Sequence, residues 1–314
     1  MGLRHLHLPY RAPFLYPPYS LASRVQEHAR RQLLDFKDAI VLRGRPPSPP
    51  TLISFTPLPT YTLGRRQTAP LSEDEVARLQ APLHVASSPK LLTAAAAATT
   101  TSTPCLPVSI VSSPRGGLTT YHGPGQVVLW PVLDLRSLHH KQFTVRCYSR
   151  LLEDTTIATL GSLFGLAAFT TADPGVWVRP EPAKIAALGV HLRRHVSALG
   201  TAINVATPGS DVTSEKLNPW ARIIACGLEG KAVTSVAAEL AAATTTPDAE
   251  RDPLPQEAVT ATAWAEELAR RIEVDGVDVV GQPEVMDLLA DLIRHDASVE
   301  EQQFVTEMRR VLGV

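Results

Sequence analysis

Short runs of alternating apolar and polar residues recur along this chain, separated by longer stretches with helical spacing. Leu3-Arg4-His5-Leu6-His7-Leu8 alternates with the period of a half-buried strand. Ser20 to Lys37 then sets Leu21, Val25, Leu33, Leu34 and Phe36 among Arg and Glu, the pattern of an amphipathic helix. Gly44 to Pro50 is a proline-rich loop. Thr51 to Pro57, Thr60 to Leu63, Val108 to Val111 and Val127 to Val132 read as short buried strands. Phe143 to Leu166 predicts a long helix with Leu151, Leu152, Ile157, Leu160 and Leu163 on one face. Val176 to Val178, Ile185 to Leu192 and Ala202 to Val205 predict further strands. Ala261 to Ile272, Pro283 to His295 and Val299 to Val311 predict closing helices. No internal repeat is present. Strands mixed with helices in this order predict an α/β (α+β) domain.

Two stretches depart from the pattern. Ala94 to Thr103 contains only Ala, Thr and Ser, and Ala241 to Pro255 is rich in Ala, Thr, Pro and Asp. The first offers nothing to pack beyond methyl groups and reads as an inserted surface loop, at about 94–104; the second, at about 241–257, reads as another insertion or a linker. The N-terminus supports two readings. Arg4, Arg11 and Arg24 precede the first acid, Glu27, as in an organelle transit peptide. The strand-like alternation and Pro9, Pro13, Pro17 and Pro18 oppose a targeting helix.

Composition narrows the class. The chain has 314 residues, 44% hydrophobic, enough to bury a sizeable core. A formal net charge of -1 and 5% aromatics argue against a nucleic-acid-binding surface. No apolar run reaches the roughly 18 residues of a membrane span. Cys105, Cys147 and Cys226 are too scattered for a disulfide framework or a CxxC metal site.

Three segments could carry chemistry. Arg115 to Gln126 reads RGGLTTYHGPGQ. Its glycines let a backbone approach a ligand, although a long hairpin turn would use them too. It lacks the Gly-Lys-Ser/Thr of a phosphate loop. Lys184-Ile185-Ala186-Ala187-Leu188-Gly189-Val190 places a lysine before small and apolar residues in a strand pattern. Half-buried, it could carry a proton; exposed, it is an ordinary surface lysine. Ile224-Ala225-Cys226-Gly227 sets a cysteine beside glycine. It suits a nucleophile at an element end, or a small buried hydrophobe.

Taken together and in this order, the segments resemble the lipoyl(octanoyl) transferase family. RGGxxTYHGPGQ, KIAALGV and a Cys-Gly pair followed by Val233-Thr234-Ser235 carry the resemblance. Thr62-Leu63-Gly64-Arg65-Arg66, Pro174 to Val178 and Leu199 to Val205 are similar to further stretches of that family. The likeness runs from about Leu3 to about Ile272. Two positions depart from it: Ala225 stands where proline usually precedes the cysteine, and Leu199 where histidine often precedes the glycine.

The resemblance implies a mixed-sheet domain of the biotin ligase and lipoate ligase catalytic type. The catalytic domain would span 1–272, with 273–314 a helical C-terminal extension of unknown role. It implies Cys226 as nucleophile and Lys184 as its partner. It implies an acyl site lined by Arg115, Gly116, Gly117, Leu118, Thr119, Thr120, Tyr121 and His122, by Ala187, Leu188 and Gly189, and by Gly200, Thr201 and Ala202. The expected reaction moves octanoyl from octanoyl-acyl carrier protein to a lysine of lipoyl domains, first step of protein lipoylation, through a Cys226 thioester. Acceptors would be the 2-oxoacid dehydrogenase complexes and the glycine cleavage H protein. No cofactor, ATP or metal is expected, and no nucleic-acid or membrane partner. A mitochondrial monomer is expected. Arg193-Arg194-His195 and Arg136 with His139, His140 and Lys141 are basic candidates for carrier docking, or solvated loops. The rival readings are an ATP-dependent lipoate–protein ligase and a non-catalytic binder of acyl carrier protein or lipoyl domain.

Overall fold

The N-terminal alternation forms β1 (Leu3–His7), and the amphipathic stretch after it forms α1 (Tyr19–Ala39). The computed structural model describes residues 1–39, 48–85, 104–178, 182–209, 212–223, 231–243 and 257–314. In chain order follow β2 (Thr51–Phe55), β3 (Thr60–Leu63), α2 (Glu73–Gln80), β4 (Leu83–His84), β5 (Cys105–Leu106), β6 (Ser109–Ser112), β7 (Thr120–His122) and β8 (Gln126–Val132). Then come α3 (Val145–Phe164), β9 (Ala168–Phe169), β10 (Val176–Val178), β11 (Ala183–Arg193), β12 (Val196–Asn204), β13 (Ala232–Val233) and α4 (Val236–Ala242). The chain closes with α5 (Glu257–Ile272), β14 (Val277–Val279), α6 (Gln282–Leu292) and α7 (Val299–Leu312). The stretch 94–103 and most of 241–257 lie outside the described residues.

The main sheet runs β14-β1-β2-β8-β12-β11-β10-β9, with β13 paired to β11. It is mixed: β1 pairs in parallel with β14 and β2, whereas β2, β8, β12, β11 and β10 pair antiparallel in turn. Side chains alternate across it. Leu52, Val127, Leu129 and Ile203 pack beneath α3 and α5; Ile53, Val128, Trp130 and Ala202 pack beneath α1, α6 and α7. Both faces are therefore covered, which explains apolar runs such as Val127-Val128-Leu129-Trp130, where a one-faced sheet would alternate. Beside it, β6, β3 and β7 form a small sheet over Tyr61, Tyr121 and Trp220.

α3 starts at Thr144, whose side chain caps the Cys147 N–H, and ends at Gly165 in the left-handed region. Its buried face differs from the leucine stripe expected. Leu151, Leu152 and Leu160 are buried, but Thr155, Thr156 and Thr159 share the face, while Ile157 and Leu163 are only partly buried. The three hydroxyls are admitted because each donates to a backbone carbonyl a turn earlier. Trp264 of α5 then donates to Thr156 at 3.0 Å, pinning the two helices. Truncating this fully buried indole to alanine would cost about 3–5 kcal/mol.

Residues 273–314 are not purely helical. Val277–Val279 joins the main sheet beside β1, a strand too short and too polar to announce itself. Val285, Met286, Leu289, Phe304, Val305 and Met308 enter the α1 side of the core. Arg24 of α1 pairs with the buried Glu301 of α7 at 3.1 Å.

Candidate functional site

The sequence from Arg115 to Gln126 folds as a bend followed by β7 and a tight turn into β8. Gly117 and Gly125 have positive φ, as the turns require. Arg115 turns inward, only 6% exposed, and donates to the Thr62 carbonyl at 2.6 Å and to the Thr62 hydroxyl at 2.9 Å. It lies against Gly189, where an added Cβ would come within 2.9 Å of Arg115 Cδ. Gly64 is equally constrained, since a Cβ there would lie 2.3 Å from the Gly117 carbonyl.

Two cavities meet at Arg115, Leu188 and Gly189. The inner one spans about 370 Å³ including its opening to solvent, and its closed part is narrow. Tyr19, Val128, Trp130 and Leu199 form its apolar wall, and Thr120, His122, Ala187, Gly200, Thr201 and Ala202 complete it. The outer one, about 800 Å³ including its open mouth, adds Arg66, Gly116, Gly117, Ser149, Asp173, Pro174 and Lys184. Leu118, Thr119 and Tyr121 line neither. Leu118 and Thr119 precede β7, and on β7 itself the side chains alternate: Thr120 and His122 face the inner cavity, so Tyr121 points to the opposite side. There it packs on Tyr61 and Trp220.

Lys184 is 7% exposed. Its Nζ donates to the Pro174 carbonyl at 3.0 Å and sits 4.7 Å from the centre of the Trp177 ring. Gly175 has φ 123°, and a Cβ there would approach the Ala186 carbonyl at 2.6 Å and Lys184 Cε at 3.3 Å. The Lys231 ammonium lies 5.3 Å from the same indole and pairs with Asp173. That hydrogen bond holds the Asp173 carboxyl below the usual carboxylate range.

His122 is buried, and burial pushes its pKa down to about 4; the Arg115 charge acts the same way, against the Gln126 hydrogen bond. Its ring stacks on Tyr19 at 5.5 Å, and Tyr19 meets Trp130 edge-on at 5.2 Å. Asn204 and Gln126 hydrogen-bond behind it.

Cys226 lies outside the described residues. The chain on either side of it is described. Pro219 to Arg222 forms a 3-10 turn before it, and β13 after it pairs Val233 with Lys184. Sequence reading assigned no role to Arg66, Asp173, Pro174 or Tyr19. Arg66 and Pro174 stand in segments that carried the resemblance, but Tyr19 had no signal beyond its place at a helix start. Of the basic docking candidates, Arg194 is ion-paired with Asp38 in the β11–β12 turn. Among the described residues no group of three His, Cys, Asp or Glu is arranged to hold a metal, and no helix is long and apolar enough to cross a membrane.

A narrow cavity with an apolar wall thus lies on the mixed sheet and joins, at Arg115, Leu188 and Gly189, an outer one that the buried Lys184 lines. Residues 31–254 match the lipoyl protein ligase A/B catalytic domain. A Danio rerio relative, named mitochondrial octanoyl-[acyl-carrier-protein]:protein N-octanoyltransferase, is 33% identical over 77% of this chain and 83% of its own length. A Schizosaccharomyces pombe relative named probable octanoyltransferase is 36% identical over 60% of this chain and 68% of its own. In fold, the chain is similar to a bipartite lipoate protein ligase of Thermoplasma acidophilum, with TM-score 0.51 and 14% identity over 98% of this chain and 91% of that one. The chain belongs to the lipoyl protein ligase A/B catalytic-domain family and, within it, to the octanoyltransferases, which are acyltransferases.

Proposed function

We propose that this chain moves an octanoyl group from acyl carrier protein to a lysine of a lipoyl domain, in two steps through Cys226. The Cys226 thiolate attacks the octanoyl thioester, forming the enzyme thioester and releasing the carrier thiol, which takes up a proton. The lysine amine then attacks the enzyme thioester, forming an amide, losing a proton and restoring the thiol. The first step exchanges like for like and the second is downhill, so no ATP is consumed. An ordinary thiol has a pKa near 8.5, and a neighbouring ammonium favours the thiolate. Lys184 supplies that cation and passes the proton.

The observation that carries this reading is the buried Lys184 in the wall of the outer cavity, which meets the inner one at Arg115, Leu188 and Gly189. Lys231 shares the Trp177 ring with Lys184, so two ammonium groups stand on this side of the outer cavity. The two cavities, joined at Arg115, Leu188 and Gly189, together suit an octanoyl thioester and the end of the arm that carries it. Small residues at Ala187, Gly189, Gly200 and Ala202 leave the room. The acceptor would be a 2-oxoacid dehydrogenase or glycine cleavage lipoyl domain, and the compartment mitochondrial, like those of relatives so named.

Intact-mass spectrometry tests it. Mixed with octanoyl-acyl carrier protein and no ATP, the chain gains one octanoyl group and passes it to lipoyl domain. Cys226→Ser gains none. An adduct on Cys226→Ser, or transfer that requires ATP, would overturn the mechanism.

A further inference from the structure

A buried chain of hydrogen bonds runs from the inner cavity to the strand that carries Lys184. The Thr234 N–H donates to the Lys184 carbonyl at 3.0 Å. The Thr234 carbonyl accepts from Asn204 Nδ2 at 2.9 Å. A carbonyl can only accept, so Asn204 turns its NH2 toward Thr234 and its Oδ1 toward Gln126. Gln126 Nε2 donates to that oxygen at 2.9 Å and reaches the Tyr121 carbonyl at 3.5 Å. Both carbonyls demand the same orientation. Gln126 Oε1 must then face His122 Nδ1, 2.8 Å away. An amide oxygen cannot donate, so Nδ1 carries the proton. Burial keeps the ring neutral, and Nε2 therefore holds a bare lone pair on a residue that lines the cavity. Gln126 is 0% and Asn204 3% exposed, so water does not compete for this network.

We infer that Gln126 and Asn204 are positioning residues that hold His122 as its Nδ1–H tautomer, so that Nε2 accepts a hydrogen bond from an N–H group of a substrate. The identity of that substrate rests on the proposed octanoyl transfer. An octanoyl chain and a thioester have no N–H to give. The pantetheine arm has amide N–H groups and the acceptor lysine has an amine, and either matches a bare ring nitrogen. A protonated ring would present N–H where an acceptor is needed. The titratable and charged groups facing His122 across this cavity are the Arg115 guanidinium and the Tyr19 phenol, and Arg115 opposes protonation.

The test combines ¹⁵N NMR of the full chain with separate rates for Cys226 acylation by octanoyl-acyl carrier protein and for octanoyl transfer to lipoyl domain. The His122 nitrogens should report Nδ1 protonated and Nε2 bare from about pH 5.5 to 8. Gln126→Glu puts a carboxylate against Nδ1 and raises the His122 pKa. A limb should then appear in which the rate falls as pH drops below about 7, a limb the wild type lacks. His122→Phe should slow one half-reaction by about tenfold. Acylation slowed assigns the donor to the pantetheine arm, and transfer slowed assigns it to the lysine. His122→Gln, which can present an amide oxygen near the Nε2 position, should recover part of that loss. An Nε2-protonated neutral ring overturns the inference whatever the activity, and so do wild-type rates for His122→Phe in both halves. A wild type without octanoyl transfer, but with the expected tautomer, removes the proposed function and the substrate assignment together while the tautomer stands.

Discussion

Lys184 holds its ammonium 4.7 Å from the centre of the Trp177 ring, on a strand whose next five residues are small or aliphatic. The indole face stabilises a cation while excluding water from one side of it. The Lys184 amine is thus held in one place beside a cavity, where a free lysine would wander. Lys184→Ala is expected to slow acyl-enzyme formation by about a hundredfold or more, with circular dichroism unchanged. Lys184→Arg keeps the charge but cannot release a proton, so it should restore little. Rates for Lys184→Ala within a few-fold of wild type would remove the lysine from the chemistry.

Two glycines of the cavity wall separate activity from stability. At Gly189 an added methyl meets Arg115 Cδ at 2.9 Å, part of a side chain that can shift. At Gly200 it meets the Leu129 carbonyl at 2.3 Å, a backbone atom in the centre of the sheet. Gly200→Ala should therefore cost about 1–3 kcal/mol in denaturant unfolding. Gly189→Ala should cost less stability than Gly200→Ala, but it should disturb the Arg115 bonds to Thr62 and raise the KM for the octanoyl donor. Equal stability losses in the two variants would contradict this division.

Much of this fold was legible because its signals are local. The strands Thr51–Phe55, Thr60–Leu63 and Gln126–Val132 are apolar runs bounded by turns, and α1 and α7 carry clear helical spacing. Val277–Val279 was not legible. Three residues containing an aspartate make a strand only because β1 offers a parallel edge, a long-range fact. The site divides in the same way. Arg115, Lys184 and the glycines sit in a recognisable order along the chain. That Tyr121 turns away from the cavity while Thr120 and His122 enter it depends on which face of β7 meets α1, and Tyr19 joins the wall only through that packing.

His5 and His7 flank the Ser54 hydroxyl at 2.7 and 2.8 Å on the buried face between β1 and β2. Burial pushes both pKa values down to about 4, with His7 adding to the effect on His5. The unfolded chain titrates these rings near 6.5, so between pH 6.5 and about 4 it binds more protons than the folded chain. Stability is complete above pH 6.5 and falls through that window, by about 1.4 kcal/mol per pH unit for each ring. Urea unfolding at pH 7.5 and pH 5 should show a marked drop, and His7→Asn should flatten it. An unchanged slope in that variant would mean that other groups govern the acid loss.

The C-terminal segment should prove inseparable from the rest. Deleting 273–314 removes β14 from the sheet edge and uncovers the α1 side of the core. Val285, Met286, Leu289, Phe304, Val305 and Met308 are each nearly or fully buried there. At about 1.5–3 kcal/mol apiece, their burial contributes about 10 kcal/mol or more. That is comparable to the whole net stability of an ordinary domain. The chain 1–272 should therefore lose its cooperative thermal transition and bind a hydrophobic dye. Glu301→Ala is a milder form of the same test. It breaks the pair between the buried Glu301 and the partly exposed Arg24 together with the capping box of α7, and should lower the melting temperature of the full chain without abolishing its transition. A truncated chain that melts cooperatively near the full-length temperature would show that the extension only decorates a domain already complete at residue 272.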